Sequence, residues 1–266
     1  MMGLDLKHCS VVLTGASGGI GAAVARALSG AGARLLLVGR DAGKLAALAR
    51  TLETHPDEPR RVEVLAADLT TSAGVEAVRR VALARRANVL VNNAGVASFG
   101  RLDALDDAHI LQAVTTNLVA PMLLTRALLP GLLAQRSAAV LNVGSVLGRL
   151  ALPGFSVYSA TKFGLRGFSE ALRRELTGTP VRVQYLGPRV TETGFNAPEV
   201  EAYNRKTGAA VDHPDDVAAA LLQLLRDGAA ERFLGLPEKL AVRVNGLAPA
   251  ALDGAFKSHR LALSGA

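Results

Sequence analysis

Tryptophan is absent from this chain, and aromatic residues of any kind make up only 4% of its 266 residues. So few rings, none interleaved with the basic residues, exclude a stacking platform for single-stranded nucleic acid. A single cysteine, Cys9, excludes a disulfide framework. It fits a reducing compartment, so a cytoplasmic location is expected. Five histidines (His8, His55, His109, His213 and His259) show no metal-ligand spacing, and no metal site is expected. No run of about 18 uninterrupted apolar residues occurs, so no membrane span is predicted. Met1 to Lys7 lacks the apolar core of a secretory signal.

What the chain does have is aliphatic bulk. Half of it is hydrophobic, mostly Ala, Leu and Val, which suits close-packed helices on a buried sheet. A chain of this length buries about three quarters of its unfolded surface. Since α/β folds often reach this size undivided, one domain is expected. The net charge of +7 raises nucleic acid or an acidic membrane as partners. The cations, however, are scattered singly or in pairs: Arg60-Arg61, Arg79-Arg80, Arg85-Arg86 and Arg173-Arg174. Most lie at helical positions beside apolar neighbours, a solvated basic face, so no nucleic-acid partner is expected.

Short β-rich runs alternate with helical stretches. Strands are predicted at Val11–Leu13, Arg34–Val38, Val62–Ala66, Val89–Val91, Ala138–Val143, Val181–Leu186 and Arg232–Leu236. Helices are predicted over Gly19–Leu28, Asp41–Leu52, Ser72–Arg85, Ser156–Leu176 and Asp215–Leu225, with broken helical patterning over Asp106–Leu133. Strands that are nearly all apolar are buried on both faces, which implies a parallel sheet covered by helices on each side. The predicted architecture is a doubly wound, Rossmann-type α/β domain over residues 1–236, with a C-terminal extension over 237–266.

The first strand runs directly into Thr14-Gly15-Ala16-Ser17-Gly18-Gly19-Ile20-Gly21. Glycines let the backbone turn tightly and approach a pyrophosphate. The helix that follows aims its free N–H groups and positive dipole end at the phosphates. Its position between strand and helix makes this a nucleotide loop. With Thr14, the Gly15, Gly19, Gly21 spacing resembles the cofactor loop of the short-chain dehydrogenase/reductase family. Further motifs fall in that family's order. Asp68-Leu69 looks like the pair that holds adenine, and Asn92-Asn93-Ala94-Gly95 resembles the family's Asn-Asn-Ala-Gly signature. Asn117, Ser145, Tyr158 and Lys162 match its catalytic tetrad. The resemblance covers about residues 8–236 and is strongest to bacterial members known only as generic oxidoreductases.

The resemblance implies a nicotinamide cofactor, held by Thr14, Gly15, Ser17, Gly18, Gly19, Ile20 and Gly21, with Asp68, Leu69, Asn92, Ala94 and Gly95. An acid at the end of strand two would select NAD by binding the ribose 2′-hydroxyl. Here Gly39 stands at that place and Arg40 follows, with a planar fork suited to a 2′-phosphate, so NADP(H) is the expected cofactor. Arg40 stacking only on adenine is the alternative. Asp41 is read as the cap of the next helix.

Tyr158 and Lys162 are four apart on a helical segment and share one face. A free phenol is a poor acid/base near neutral pH, and a cation within roughly 5 Å favours the phenolate. The resemblance implies that Lys162 also holds the nicotinamide ribose and that Ser145 bonds the substrate oxygen. Hydride would reach a carbonyl carbon while Tyr158 protonates its oxygen. The expected function is an NADP(H)-dependent carbonyl reductase or alcohol dehydrogenase acting on a small molecule, lipophilic or acyl-type. Arg149 or Arg189 is a candidate to meet an anionic head. The alternative is a catalytically silent NADP-binding sensor, although such relatives typically lack the tyrosine or lysine.

The resemblance thins after strand six, where Leu186 replaces a usual proline and Gly187 aligns with its glycine. Thr191 then falls at the contact to the nicotinamide carboxamide, with Thr193 as competitor. A mobile substrate lid is expected over about residues 191–208. The chain also continues well past the point where acyl-carrier-protein ketoreductases of the family stop, which puts their tetramer in doubt. A homo-oligomer, dimer or tetramer, is still expected. The tail, apolar from Leu240 to Leu252, has three readings: a cover over the cleft, a subunit contact or, weakest, contact with a membrane surface.

Pro121 lacks the N–H that would serve the carbonyl of Asn117 four residues earlier. The helix is therefore expected to be kinked or locally opened at Asn117, freeing that carbonyl for water. In related enzymes the tetrad asparagine is implied to hold a proton-relaying water. Pro121 in the first turn of a separate helix is the alternative.

Overall fold

A computed structural model of the chain describes residues 3–52, 61–235 and 245–263. The sheet begins with β1 (Ser10–Thr14), α1 (Gly19–Gly30), β2 (Arg34–Gly39), α2 (Ala42–Leu52), β3 (Val62–Ala66), α3 (Ser72–Ala84) and β4 (Val89–Asn92). A long helix follows in two α-helical parts, α4 (Asp107–Val114) and α5 (Ala120–Leu133), then β5 (Ala138–Val143), α6 (Ser156–Glu175) and β6 (Val181–Gly187). The remainder comprises β7 (Val190–Thr191), α7 (Pro198–Thr207), β8 (Val211–Asp212), α8 (Pro214–Asp227), β9 (Glu231–Phe233) and a C-terminal helix (Lys257–Leu263).

Seven of these strands form one parallel sheet in the order β3-β2-β1-β4-β5-β6-β9. Strand periodicity of two divides its side chains between two cores. Val11, Leu13 and Leu37 pack with Val24, Leu28, Leu45 and Leu221 from α1, α2 and α8. Val12, Leu36 and Leu90 pack on the other face with Val78, Leu124 and Leu172 from α3, α5 and α6. The doubly wound fold is as the sequence implied. One strand departs from the apolar expectation: β3 is an edge, and its Glu63 and Val64 are exposed. The strand order reverses between β1 and β4, which opens a crevice at their carboxyl ends where ligands bind in such folds.

Asp107 to Leu133 is one helix of 27 residues, long and apolar enough by composition to cross a membrane. Here it packs against α3 and α6 as a layer of the domain. Its middle, Thr115–Val119, is a π-helical turn in which the Ala120 N–H bonds the Thr115 carbonyl, five residues back. The ladder is thus widened around Asn117 rather than broken. Pro121 sits in the first turn of the α-helical part that follows, but in the same continuous helix, so it does not open a separate one; what the structure shows at Asn117 is the locally widened turn.

Two segments were not anticipated in the sequence: α7 within the lid, and the C-terminal helix, which packs on α7. The stretch predicted as a lid is bracketed by the short parallel pair β7–β8. The predicted boundary at residue 236 and the stretch to residue 244 lie outside the described residues.

Candidate active site

The glycine turn after β1 is built by contact as well as by propensity. Gly15 has φ +62°, and a Cβ there would fall 2.8 Å from the Ala94 Cα. A Cβ on Gly21 would fall 2.1 Å from the Gly15 carbonyl oxygen. The loops after β1 and β4 are stitched together by Thr14, whose hydroxyl accepts from the N–H of Asn93 (2.9 Å) and of Ala94 (3.0 Å). Asn93 also donates to the carbonyls of Thr14 and Gly15. Asn93 is therefore a second support of the loop that the motif reading passed over.

This cradle opens into one cavity of about 500 Å³. Gly15, Ser17, Gly18, Gly19, Ile20 and Gly21 line one end, together with Gly39, Arg40, Asp68, Leu69, Ala94 and Gly95. The cradle has the shape and donors that a dinucleotide needs. The Asp41 carboxylate accepts from the Lys44 N–H at 2.9 Å, so it caps α2 as expected. Asp68 is held below the ordinary carboxylate range by the Thr70 N–H and hydroxyl, with Arg40 adding in the same direction.

Three predicted cofactor residues do not line the cavity. Thr14 acts behind it, as described above. The Asn92 amide is buried and donates to Asn142 (2.8 Å) and Thr125 (3.1 Å). Gly187 lies under the sheet's last strand, where a Cβ would fall 2.4 Å from the Phe233 ring. Both Thr191 and Thr193 line the cavity. The Thr191 hydroxyl is engaged with the Arg189 carbonyl (3.2 Å). Thr193 reaches the phosphate loop itself: a Cβ on Gly19 would fall 2.3 Å from its methyl.

At the other end lie Ser145, Tyr158 and Lys162. Helix α6 carries Tyr158 and Lys162 on one face, and the Lys162 Nζ stands 5.5 Å from the Tyr158 ring centre. Lys162 is buried and donates to the Val143 carbonyl at 3.3 Å. Asn117 clamps the β4 loop: its side chain accepts from the Val96 N–H (2.8 Å) and donates to the Val96 carbonyl (2.9 Å). A Cβ on Gly95 would lie 3.1 Å from the Asn117 Oδ1 and 3.8 Å from the Lys162 Nζ, so these three residues meet. The tetrad assembles.

Burial dominates the electrostatics. It pushes the Tyr158 phenol up to about 12, with the Ser145 hydroxyl drawing it back. Desolvation brings Lys162 down to about 8. The expected lowering of Tyr158 by Lys162 is not found: burial pushes each group toward its neutral form. The neutral phenol is the resting form, which suits a proton donor.

Ser145 depends on a residue that sequence reasoning missed. The fully buried Tyr185 of β6 donates to the Ser145 carbonyl and accepts from its N–H. Gly144 and Gly148 leave room for its phenol: a Cβ on either would fall 2.0–2.1 Å from the Tyr185 hydroxyl oxygen. The available signal was the one aromatic residue in β6.

The substrate side is walled by Leu147, Leu150, Phe155, Phe195 and Tyr203, with Phe256 and His259 from the tail. Two residues of the tail thus form part of the cavity wall. The tail's Leu263 approaches Gly154, and its His259 Nδ1 meets the Tyr203 hydroxyl at 2.7 Å. The two cations proposed for an anionic head are engaged elsewhere: Arg149 with Glu231 at 3.2 Å, and Arg189 with Asp212 through paired bonds from Nε at 3.1 Å.

A family model described as short chain dehydrogenase matches residues 10–204. A ketoacyl reductase from Nostoc is 30% identical over 257 residues, covering 93% of this chain and 88% of its own. A short chain dehydrogenase from Burkholderia cenocepacia in complex with NADP has 28% identity and a TM-score of 0.77, covering 87% of this chain and 98% of its own. A member from Burkholderia phymatum in complex with NAD superposes with a TM-score of 0.84 at 23% identity, covering 93% and 96%. The chain belongs to the short-chain dehydrogenase/reductase family of hydride-transferring oxidoreductases that act between CH–OH and C=O groups.

Proposed function

We propose that this protein is an NADP(H)-dependent carbonyl reductase or alcohol dehydrogenase for a lipophilic or acyl-type small molecule. The observation that carries the reading is one cavity that joins the Gly15–Gly21 cradle to Ser145, Tyr158 and Lys162. The nicotinamide supplies or takes the hydride. Ser145 orients the substrate oxygen, Tyr158 gives or takes its proton, and Lys162 carries the positive charge that steadies the phenolate. The preference for NADP rests on Arg40, which lines the cavity beside Gly39 with no acid at the end of β2. The mostly apolar wall supports a lipophilic substrate. We read the protein as a cytoplasmic homo-oligomer; exposed Leu111, Val119 and Leu123 on the long helix and Phe163 on α6 support a subunit contact.

The test is NADPH consumption with a panel of diketones, quinones and apolar ketones, for wild type and Tyr158→Phe. Loss of the acid/base should cost about a hundred- to ten-thousandfold in turnover, with NADPH still bound. Most of the turnover surviving in Tyr158→Phe would place the proton donor elsewhere.

A further inference from the structure

The chain has ten aromatic side chains, seven phenylalanines and three tyrosines. The two cores of the sheet hold one of them, Phe168, and Phe163 is exposed on α6. The other eight gather at and behind the substrate end of the cavity: seven in the apolar cluster that includes Leu147 and Leu150, and Phe195 beside Tyr158. Five of the eight line the cavity itself: Phe155, Tyr158, Phe195, Tyr203 and Phe256. A wall of Leu, Val and Ala, which fill the rest of the protein, would exclude water as well. Rings add a directional preference for another ring, met edge to face or offset.

Two of these rings lie beside the acid/base. The ring centres of Phe155 and Phe195 are each 6.4 Å from that of Tyr158, with planes inclined at 65° and 62°. Phe155 is buried and packed against Phe99 at 4.9 Å and Tyr203 at 5.6 Å. Phe195 is 42% exposed, and Tyr158 is its one ring partner among the described residues. Its backbone is held all the same: its N–H donates to the Thr193 hydroxyl at 3.3 Å, and Thr193 packs on Gly19 of the phosphate loop. A reacting carbonyl oxygen must come within about 3 Å of the Tyr158 hydroxyl. A ring bonded to that carbonyl carbon then sits beside the phenol, where Phe195 can meet it at the usual spacing of about 4.5–7 Å between centres. Charge narrows the class. Asp68, beside Arg40, is the one carboxylate among the described residues that line the cavity, whereas Lys162 and Arg189 line the catalytic side, Arg189 already paired with Asp212. A cationic amine finds no counter-ion there, so the ring that fits is neutral.

We propose that Phe195 is a specificity-determining residue whose ring packs on an aromatic ring bonded to the reacting carbon of the substrate. This rests on the carbonyl-reductase reading and deepens it. The substrate class is then an uncharged aryl ketone, or the matching benzylic alcohol in the reverse direction, rather than an aliphatic acyl chain.

The experiment compares an aryl methyl ketone with its ring-saturated cyclohexyl counterpart, two compounds with one carbon skeleton, for wild type, Phe195→Leu and Phe195→Tyr with NADPH. The ratio of kcat/KM, aryl over cyclohexyl, should fall about three- to tenfold in Phe195→Leu, the size of one aromatic pair, and hold in Phe195→Tyr, which keeps a ring. The affinities of the two product alcohols for the NADP-loaded protein, measured by calorimetry, should shift in the same ratio. Equal losses on both ketones in Phe195→Leu would mean that the residue supplies apolar area only, and overturn the proposal. A ratio that falls as far in Phe195→Tyr overturns it too. Turnover of both ketones with an unmoved ratio sinks the proposal and leaves the reductase reading standing. If neither ketone is turned over but the alcohol affinities still depend on the ring of Phe195, the reduction reading falls and this one stands. If those affinities are also insensitive, both fall.

Discussion

The phenol of Tyr185 donates to the main-chain carbonyl of Ser145 at 3.0 Å and accepts from the N–H of the same residue at 3.1 Å. One side chain forty residues away thus fixes both main-chain groups of a serine that lines the cavity. Tyr185→Phe leaves those two groups buried without partners. It should cost about 1–3 kcal/mol of stability and roughly tenfold in kcat, with NADPH affinity little changed. Urea unfolding and steady-state kinetics read the two effects, and wild-type values in both would show that the bonds do not position Ser145.

Arg40→Ala removes a guanidinium that lines the cavity beside Gly39. NADP affinity should drop about ten- to a hundredfold, the loss of a charge-assisted contact, while NAD affinity changes far less. Titration of both nucleotides by fluorescence measures this. Equal losses, or a wild-type preference for NADH, would remove the basis for NADP.

Burial lowers Lys162 from its ordinary 10.5 to about 8. Between these values the unfolded chain binds a proton that the folded protein does not. Stability from this group is therefore present above pH 10.5 and lost as the pH falls through 8. Lys162→Met removes the term. Without cofactor, wild type should gain on Lys162→Met as the pH rises from 7 to 10, by about 3 kcal/mol at most. Parallel stability curves for the two proteins would show that Lys162 is not desolvated.

Phe256 and His259 bring the tail into the substrate wall, and His259 meets Tyr203 on the lid helix. Truncation before Phe256 should raise KM for bulky apolar substrates about tenfold or more, through lost apolar contact, and leave NADPH binding nearly intact. Tyr203→Phe, which breaks the link alone, should have a smaller effect of the same kind. A truncated enzyme with unaltered KM that sediments as a smaller species would assign the tail to a subunit contact. Vesicle binding lost on truncation would assign it to a membrane surface.

Pro121 follows the π-helical turn that holds Asn117. Pro121→Ala restores the missing N–H and lets the ladder close at the usual four-residue spacing. The Asn117 clamp on Val96 should then shift, lowering kcat several-fold and altering the pH–rate profile. A crystal structure of the variant with the same widened turn and an unchanged profile would show that the proline is not its cause.

Local geometry made much of this protein readable from its sequence. The run from β1 into the glycine turn and α1 follows from strand burial and glycine freedom over a dozen residues. The four-residue spacing of Tyr158 and Lys162 follows from helix pitch alone. Strands β3 and β5 begin and end at the residues predicted from the sequence. Tertiary packing decided the rest. Tyr185 reaches Ser145 only because β5 and β6 pair in parallel, and Asn92 turns from the cofactor because Asn142 lies beside it in the sheet. The raised Tyr158 and lowered Lys162 come from desolvation, a property of everything packed around them. The tail's place in the cavity wall was one of three readings the sequence left open, since apolar pattern shows that a segment will be covered but not by what. Hydrogen-bond periodicity acts within a few residues and can be read along the chain; burial acts between residues that only the folded chain brings together.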